Sequence, residues 1–309
     1  MTAVCHFNFP LFMSSKKLIA LITINWKRYD LTKKLFISLQ NSTVKPDTYL
    51  VDNECDASKV ADVAPYCREV FKFRENTGYS FANNHAAKKI GRNYEYLLFI
   101  NNDTLVEPET IEIMLDYAKK LPQHSILHPL NLKYDEPNII TSAGSLNILG
   151  PGVGYRFESA KLSKVKDRLK PVMKQNYLHG ACFLINSNDF LDIGGFDERF
   201  YIYHEDNDLG RKLKKKFNST FYCVTEAVIY HKHHGSEPFH KERHWYYTIR
   251  SIALYLTDNN KYKKAFIRFI CRLANLLLWP FKTDSNIKAV RTGLRDYLEG
   301  NFGRSEIYR

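Results

Sequence analysis

Hydrophobic residues in the first hundred positions alternate between short solid runs and spaced stripes. Residues 18–26 (LIALITINW) form a solid, Ile-rich run, the mark of a strand buried on both faces. Residues 30–39 then carry Leu31, Leu35 and Leu39 at four-residue steps, which predicts a helix. Residues 48–51 read as a second strand ending in Asp52-Asn53, and residues 70–73 as a third ending near Asn76-Thr77-Gly78. Residues 81–90 look helical, and residues 96–100 (YLLFI) are a fourth buried strand that stops at Asn101-Asn102-Asp103. Pro108, whose missing N–H costs nothing in a first turn, is expected to open the next helix.

Strands alternating with helices imply an α/β fold, a mostly parallel central sheet with helices on both faces. Ligands of such sheets sit beyond the carboxyl ends of the strands. Asp52, Gly78 and Asp103 each follow a strand, so three polar elements converge on one rim. The middle is less regular. Residues 141–155, with Gly144, Gly150, Gly152 and Gly154, read as hairpins and loops. They do not lead from a strand into a helix, which excludes a phosphate loop. Residues 159–174 are basic and aperiodic and are expected to form a flexible loop near the site. A strand over 177–185, a turn at Gly194-Gly195, a helix from Glu205 and a strand over 227–230 follow. Beyond residue 240 the chain turns to helical segments rich in Tyr, Lys and Arg. The expected organisation is a leader (1–16), an α/β catalytic domain (17–240) and a helical, basic region (241–309).

Composition narrows the class. The 309 residues are 44% hydrophobic, enough for a substantial core. A mean hydropathy of −0.38 suits a soluble globular body. The net charge of +12, from 45 Lys and Arg against 33 Asp and Glu, attracts polyanions: nucleic acid, acidic lipid or phosphorylated substrates. A nucleic-acid-binding protein is the competing reading. The positive residues are spread over the chain without a nucleic-acid motif, however, and the acidic cluster at residues 205–208 would repel phosphate in the absence of a metal, so no nucleic acid is expected as partner. The six cysteines are scattered without zinc or redox spacing, which points to reduced thiols and the cytoplasm. The N-terminal apolar stretch has no basic residues before it and makes a poor secretory signal. No apolar run reaches the roughly 20 residues needed to span a bilayer.

Three clusters carry candidate chemistry. Asp103, just past a buried strand and flanked by Asn101 and Asn102, could bind Mg²⁺ or Mn²⁺, which take one or two carboxylates plus phosphate oxygens. The plain alternative is an Asx-turn. Glu205-Asp206-Asn207-Asp208 opens a helix, where acidic residues are stabilised by about 0.3–1 kcal/mol each. Leu209, Leu213 and Phe217 define the buried stripe of that helix. Asp206 lies on it, Asp208 points nearly opposite and Glu205 lies to one side. An inward carboxylate at a helix end faces a cleft, where a general base belongs. His231 follows a strand, and one imidazole of His231, His233 and His234 could complete a cation site. Zinc would want further ligands such as cysteines, which are not nearby, and a structural histidine is the plain alternative. Asp52 suits hydrogen bonding to a base or ribose, or is a turn residue.

In order along residues 18–236, these pieces resemble glycosyltransferase family 2, and within it the bacterial rhamnosyltransferase-like subgroup. The motifs are Thr23-Ile24-Asn25, Val51-Asp52-Asn53, Asn76-Thr77-Gly78 with Asn83-Asn84, Asn101-Asn102-Asp103-Thr104, His179-Gly180-Ala181, Gly194-Gly195-Phe196-Asp197-Glu198, Glu205-Asp206-Asn207-Asp208-Leu209 and Tyr230-His231. The resemblance implies a GT-A fold, Rossmann-like, followed by a C-terminal helical segment. It implies Mg²⁺ or Mn²⁺ held by Asp103 and His231. Thr23, Asp52 and Asn83 fall where the family contacts the nucleotide, with Asn25, Asn76, Gly78, Asn101 and Asn102 on the same side. Asp206 matches the catalytic base, with Glu205 beside it. His179-Gly180-Ala181 stands for the usual Ser-Gly-Ala, near the sugar or acceptor. The implied reaction is inverting transfer from a nucleotide diphosphate-sugar to a hydroxyl of a glycan or lipid-linked acceptor in bacterial surface polysaccharide synthesis. dTDP-rhamnose is the favoured sugar donor and a UDP-hexose the alternative. Residues 261–282 (KYKKAFIRFICRLANLLLWPFK) read as a basic amphipathic helix. It is expected either to make peripheral contact with an anionic membrane or to pack on the domain with its basic face solvated.

Overall fold

A computed structural model of the chain describes residues 16–147, 153–232, 240–257, 261–281 and 283–308. The apolar runs and stripes of the first half become β1 (Lys17–Asn25), α1 (Tyr29–Gln40), β2 (Asp47–Asn53), α2 (Ala57–Val60), β3 (Glu69–Phe73), α3 (Tyr79–Ile90) and β4 (Tyr94–Ile100). The middle contains β5 (Thr104–Val106), α4 (Thr110–Lys120), β6 (Ile126–Lys133), β7 (Ile140–Ser142), β8 (Ser145–Asn147), β9 (Val153–Tyr155), α5 (Leu162–Val165) and β10 (Val172–Gln175). Then come β11 (Cys182–Asn186), α6 (Ser187–Asp192), α7 (Glu205–Phe217), β12 (Phe221–His231), α8 (Lys241–Thr257), α9 (Lys261–Leu277) and α10 (Ser285–Glu299).

One large sheet runs in the order β10-β12-β6-β11-β4-β1-β2-β3, with β5 on β12 and β7 on β6. β3, β2, β1 and β4 are mutually parallel, and β12 is parallel to β6. β11 runs antiparallel between β4 and β6, so the sheet is mixed on that side. Alternation along the central strands covers both faces, because successive side chains point to opposite sides. Leu21 and Leu98 join the cluster of Leu35, Phe36 and Ile111 under α1 and α4. Ile22 and Phe99 join Ala82, Ala86 and Leu209 under α3 and α7.

Several expectations change in the structure. The helix after Pro108 begins at Thr110, and the Pro108 carbonyl instead accepts the Thr43 N–H at 2.9 Å. The stretch 159–174 is not a loop. Val165 anchors α5 against Leu130, Leu132 and Ile140, and β10 adds an antiparallel edge to β12. Isolated apolar anchors in a basic segment leave no periodic signal, which is why the sequence hides them. The strand expected over 177–185 shortens to β11, because the Ser145 hydroxyl ties down both the N–H and the carbonyl of Tyr177. The expected leader 1–16 lies outside the described residues except for Lys16, as do Gly150, Gly152, His233, His234 and Lys282.

The C-terminal helices form a layer of their own. Gly293 on α10 lets that helix approach α8 closely: a Cβ there would sit 2.6 Å from the Tyr246 carbonyl oxygen. Arg250, 2% exposed, donates to the Tyr246 hydroxyl and to the carbonyls of Asn301 and Gly303. This layer grips the segment leading into α7. Tyr247 stacks on Tyr201 with centroids 4.9 Å apart, and the Ser251 hydroxyl donates to the Ile202 carbonyl.

Candidate active site

A cavity of about 550 Å³ opens where β1, β2 and β4 end. It is bounded on one side by the first turn of α7 and on another by α8. Its floor follows from strand register. Cys182 pairs with Ile100, so the turns next to these residues lie side by side, and the Asn101 N–H donates to the Ala181 carbonyl at 2.9 Å. This brings His179-Gly180-Ala181 beside Asn101-Asn102-Asp103.

A second register brings together residues more than a hundred positions apart. β5 begins right after Asp103 and pairs with the end of β12, with His231 opposite Thr104. His231 Nε2 consequently lies 3.1 Å from Asp103 Oδ1, and the Lys232 N–H donates to the Asp103 carbonyl. Asp103 is 5% exposed and His231 7%, and both line the cavity. Among the described residues no cluster of three or more His, Cys, Asp or Glu forms around them. One carboxylate and one imidazole suit a hard divalent cation that fills its remaining positions with phosphate oxygens and water. The residues present therefore fit Mg²⁺ or Mn²⁺.

The carboxylates of α7 enter through an unusual backbone turn. Tyr203 (φ 70°) and His204 (φ 64°) are both left-handed, a conformation that costs non-glycine residues and concentrates at functional sites. The chain thereby turns Glu205 and Asp206 into the cavity. Asp206 Oδ2 accepts the Gly180 N–H at 3.0 Å and Oδ1 accepts the Asn207 N–H at 2.7 Å. A Cβ on Gly180 would lie 3.1 Å from Asp206 Oδ2, so glycine keeps this approach open. The Tyr79 hydroxyl donates to the Gly180 carbonyl from behind. Burial holds the Asp206 carboxyl above the usual carboxylate range, against the pull of its two N–H donors. Glu205 is pushed up further, by burial and by the neighbouring Asp206 charge. Its Oε2 is buried with no hydrogen-bond partner among the described residues.

Glu205 was expected to one side of α7 and instead lines the cavity at 8% exposure. Asp208 faces away from the cavity as expected, yet it is buried, ion-paired with Arg211. The reason is α8: Arg211 also donates to the Tyr255 carbonyl, so the outer face of α7 is covered as well.

The expected nucleotide residues divide. Asn76, Gly78, Asn101 and Asn102 line the cavity. Gly78 is left-handed (φ 85°), and a Cβ there would strike the Tyr201 ring at 2.5 Å. Thr23, Asn25, Asp52 and Asn83 do not line it. Asn25 donates to Asp52 at 2.8 Å and accepts from Thr32 at 2.9 Å. Asp52, fully buried, accepts from Asn25 and, on both oxygens, from the Tyr29 hydroxyl. Thr23 is fully buried within β1, and Asn83 donates back to the Tyr79 carbonyl. These four lie beneath the rim and shape it. Asn84, beside Asn83, holds both the N–H and the carbonyl of Phe196 at 2.9 Å, which explains why the Asn83-Asn84 and Gly194-Gly195-Phe196 motifs occur together.

No family model matches the chain. Comparison with curated proteins finds 26% identity over 300 residues to the N-acetylglucosaminyl-diphospho-decaprenol L-rhamnosyltransferase of Mycobacterium tuberculosis, covering 87% of this chain and 94% of that protein. The rhamnosyltransferase WbbL of Escherichia coli is 23% identical over 188 residues, 58% of this chain and 70% of that protein. Among solved structures, GalNAc-T7 with UDP, GalNAc and Mn²⁺ superposes with a TM-score of 0.61 at 14% identity. The match covers 93% of this chain and spans 57% of the GalNAc-T7 chain. The fold is that of a GT-A glycosyltransferase.

Residues supplied to the cavity from outside the α/β sheet escaped the sequence reading. Arg243 of α8 lines the cavity and lies over the Trp26 ring at 4.2 Å. Tyr155 of β9 also lines it, edge-on to His179 at 5.0 Å. Tyr201 closes it by donating to the Asn76 carbonyl while its own carbonyl accepts the Tyr79 N–H. No motif marks these positions. For Arg243 the available signal was the change beyond residue 240 to helical segments rich in Tyr, Lys and Arg.

Proposed function

We propose that the chain is an inverting glycosyltransferase that moves a sugar, with L-rhamnose from dTDP-rhamnose as the favoured case, onto a hydroxyl of a glycan or lipid-linked acceptor. The observation that carries this reading is the Asp206 carboxylate, fixed by the Gly180 N–H at the cavity wall with its proton affinity raised by burial. Such a group takes a proton readily near neutral pH. The two relatives described above are rhamnosyltransferases by name, which supports the sugar.

Asp206 accepts the proton of the attacking acceptor hydroxyl. A single displacement without a covalent intermediate inverts the anomeric configuration. Glu205, sharing the same wall, keeps a second buried carboxyl within the site, its own proton affinity raised by burial and by the Asp206 charge. Asp103 and His231 would hold a divalent cation, and the Mn²⁺ in the GalNAc-T7 structure supports that assignment. When bound, this ion neutralises charge on the diphosphate of the sugar donor. Arg243 adds a fixed positive charge to the same cavity, suited to phosphate oxygens. Asn76, Gly78, Asn101 and Asn102 border the nucleotide side, and His179 and Gly180 the sugar and acceptor side. The described cysteines are all free thiols, which suits a reducing cytoplasm.

The test is thermal stabilisation by dTDP-rhamnose, UDP-glucose, UDP-galactose and GDP-mannose, each with Mn²⁺, Mg²⁺ or EDTA. A ligand at 100 times its Kd stabilises the native state by about 2.7 kcal/mol. The expected result is a shift with dTDP-rhamnose that EDTA removes and that Asp103→Ala abolishes. A metal-dependent shift with a UDP-sugar alone would move the assignment to a hexosyltransferase. No shift with any of the four would overturn the nucleotide-sugar reading.

A further inference from the structure

Helix α9 packs on the protein by one side only. Ile267, Cys271 and Ala274 join Phe200, Ala253 and Leu294 in a small core. At about 100° per residue, Phe266, Phe269, Ile270, Leu273, Leu276 and Leu277 fall within an arc of about 120° on another side. All six are exposed, Leu276 by 71% and Leu277 by 66%. Trp279 and Phe281 extend the patch past the end of the helix. Eight of the fourteen exposed large hydrophobic side chains among the described residues therefore sit in one stretch of sixteen positions, where isolated ones would need no explanation.

Charge decides what covers this patch. Residues 261–281 contain five Lys and Arg and no Asp or Glu. Lys263 and Arg272 are exposed at its borders. A second copy of the chain docking through the same face would bring these like charges together, on a chain already carrying +12. An anionic bilayer surface meets both demands: its acyl boundary takes the apolar arc and its headgroups take the basic border. Among the described residues no helix is long and apolar enough to cross a membrane, so the contact is parallel to the surface.

We infer that α9 is a docking helix for the surface of an anionic lipid bilayer, with Phe266, Phe269, Leu273, Leu276 and Leu277 entering the acyl boundary. The contact also orients the cavity. α8 carries Arg243 and Thr248 on the cavity wall, while Ala253 and Leu254 of the same helix pack in the core that holds Cys271 of α9. The inference stands apart from the transfer reading, since it needs neither a sugar donor nor a metal.

The full chain is tested by flotation with vesicles of phosphatidylcholine alone and of phosphatidylcholine with an equal part of phosphatidylglycerol. Binding is expected to the second and not the first, and to weaken as salt rises. Leu273→Glu with Leu276→Glu should weaken it by at least about tenfold. Lys263→Ala with Arg272→Ala should weaken it on the order of tenfold. Both double variants should keep the wild-type Tm and donor-induced thermal shift, because the side chains are exposed and far from the cavity lining. Failure of the wild-type chain to float with anionic vesicles would overturn the proposal. So would a concentration-dependent dimer that Leu273→Glu dissociates, which would assign the patch to a second copy.

Discussion

Two groups of buried polar residues meet at the cavity, and they are buried in opposite ways. Beneath the rim, Asn25, Asp52, Thr32 and Asn102 satisfy one another: Asp52 takes the hydrogen bonds of Asn25 and Tyr29, and Asn102 donates to Thr32 at 2.9 Å. At the start of α7, Glu205 Oε2 has no hydrogen-bond partner among the described residues, the two preceding residues are left-handed, and both carboxyls hold protons more tightly than usual. A fully satisfied network fixes a shape. A strained and unsatisfied one stores free energy that substrate groups can release. The difference separates a carboxylate suited to scaffold, Asp52, from the carboxyls proposed for chemistry, Glu205 and Asp206, although both groups derive from motifs of the same kind.

The largest expected effect tests the second group. Asp206→Asn keeps the size of the side chain but removes the base, and its amide nitrogen cannot accept one of the two backbone N–H groups that the carboxylate takes. We expect kcat to fall about a hundred- to ten-thousandfold, with donor binding close to wild type and a stability loss of about 1–3 kcal/mol from the orphaned N–H. On the proposed mechanism, transfer requires ionised Asp206. Because burial raises its pKa, the acid limb of kcat/KM should lie above the ordinary carboxylate value of about 3.9. A variant retaining more than a tenth of wild-type turnover would remove Asp206 from the role of base.

The next effect tests the scaffold. Asp52→Ala leaves the amide of Asn25 and the hydroxyl of Tyr29 buried without their acceptor. Each orphaned donor costs about 1–3 kcal/mol, so urea unfolding should report a loss of about 3 kcal/mol. The folded fraction should keep its sugar-donor affinity within about threefold, a tolerance corresponding to roughly 0.6 kcal/mol. Intact stability with lost donor binding would break the comparison and return Asp52 to the nucleotide contact that its motif suggests.

Much of this was legible in the sequence because the signal was local. Solid apolar runs marked β1 and β4, and a four-residue stripe marked α1. The inward face of α7 placed Asp206 correctly at the cavity. What was hidden depends on pairing between distant segments. The 3.1 Å approach of His231 to Asp103 follows from β5 lying on β12, which no spacing reveals. Asp208 was read only as pointing opposite Asp206; its burial was hidden because α8, which covers that face, lies more than thirty residues downstream. Asn83 and Asn84 share one motif, yet only the second reaches across to Phe196. On α9 the sequence offered membrane contact or packing as alternatives, and the helix packs by one face while leaving an apolar face exposed.

The smallest effect sharpens the comparison within α7 itself. Glu205 binds its proton more tightly in the folded protein than an ordinary glutamate does, through burial and the Asp206 charge. A raised folded pKa contributes stability that is fully present below the unfolded value of about 4.3 and is lost as pH rises through the folded value. Wild-type Tm should therefore decline from about pH 4 upward over this window, to the extent that Glu205 dominates it. Glu205→Gln removes the ionisation while keeping the shape. Its Tm should equal that of wild type near pH 4 and exceed it at alkaline pH, by on the order of 1–2 kcal/mol of stability. The divergence with pH is the informative part, since a merely better-packed Gln would gain at every pH. A gain independent of pH, or a loss at alkaline pH, would mean that Glu205 is satisfied in solution like Asp52, and that the strain at the start of α7 rests on Tyr203 and His204 alone.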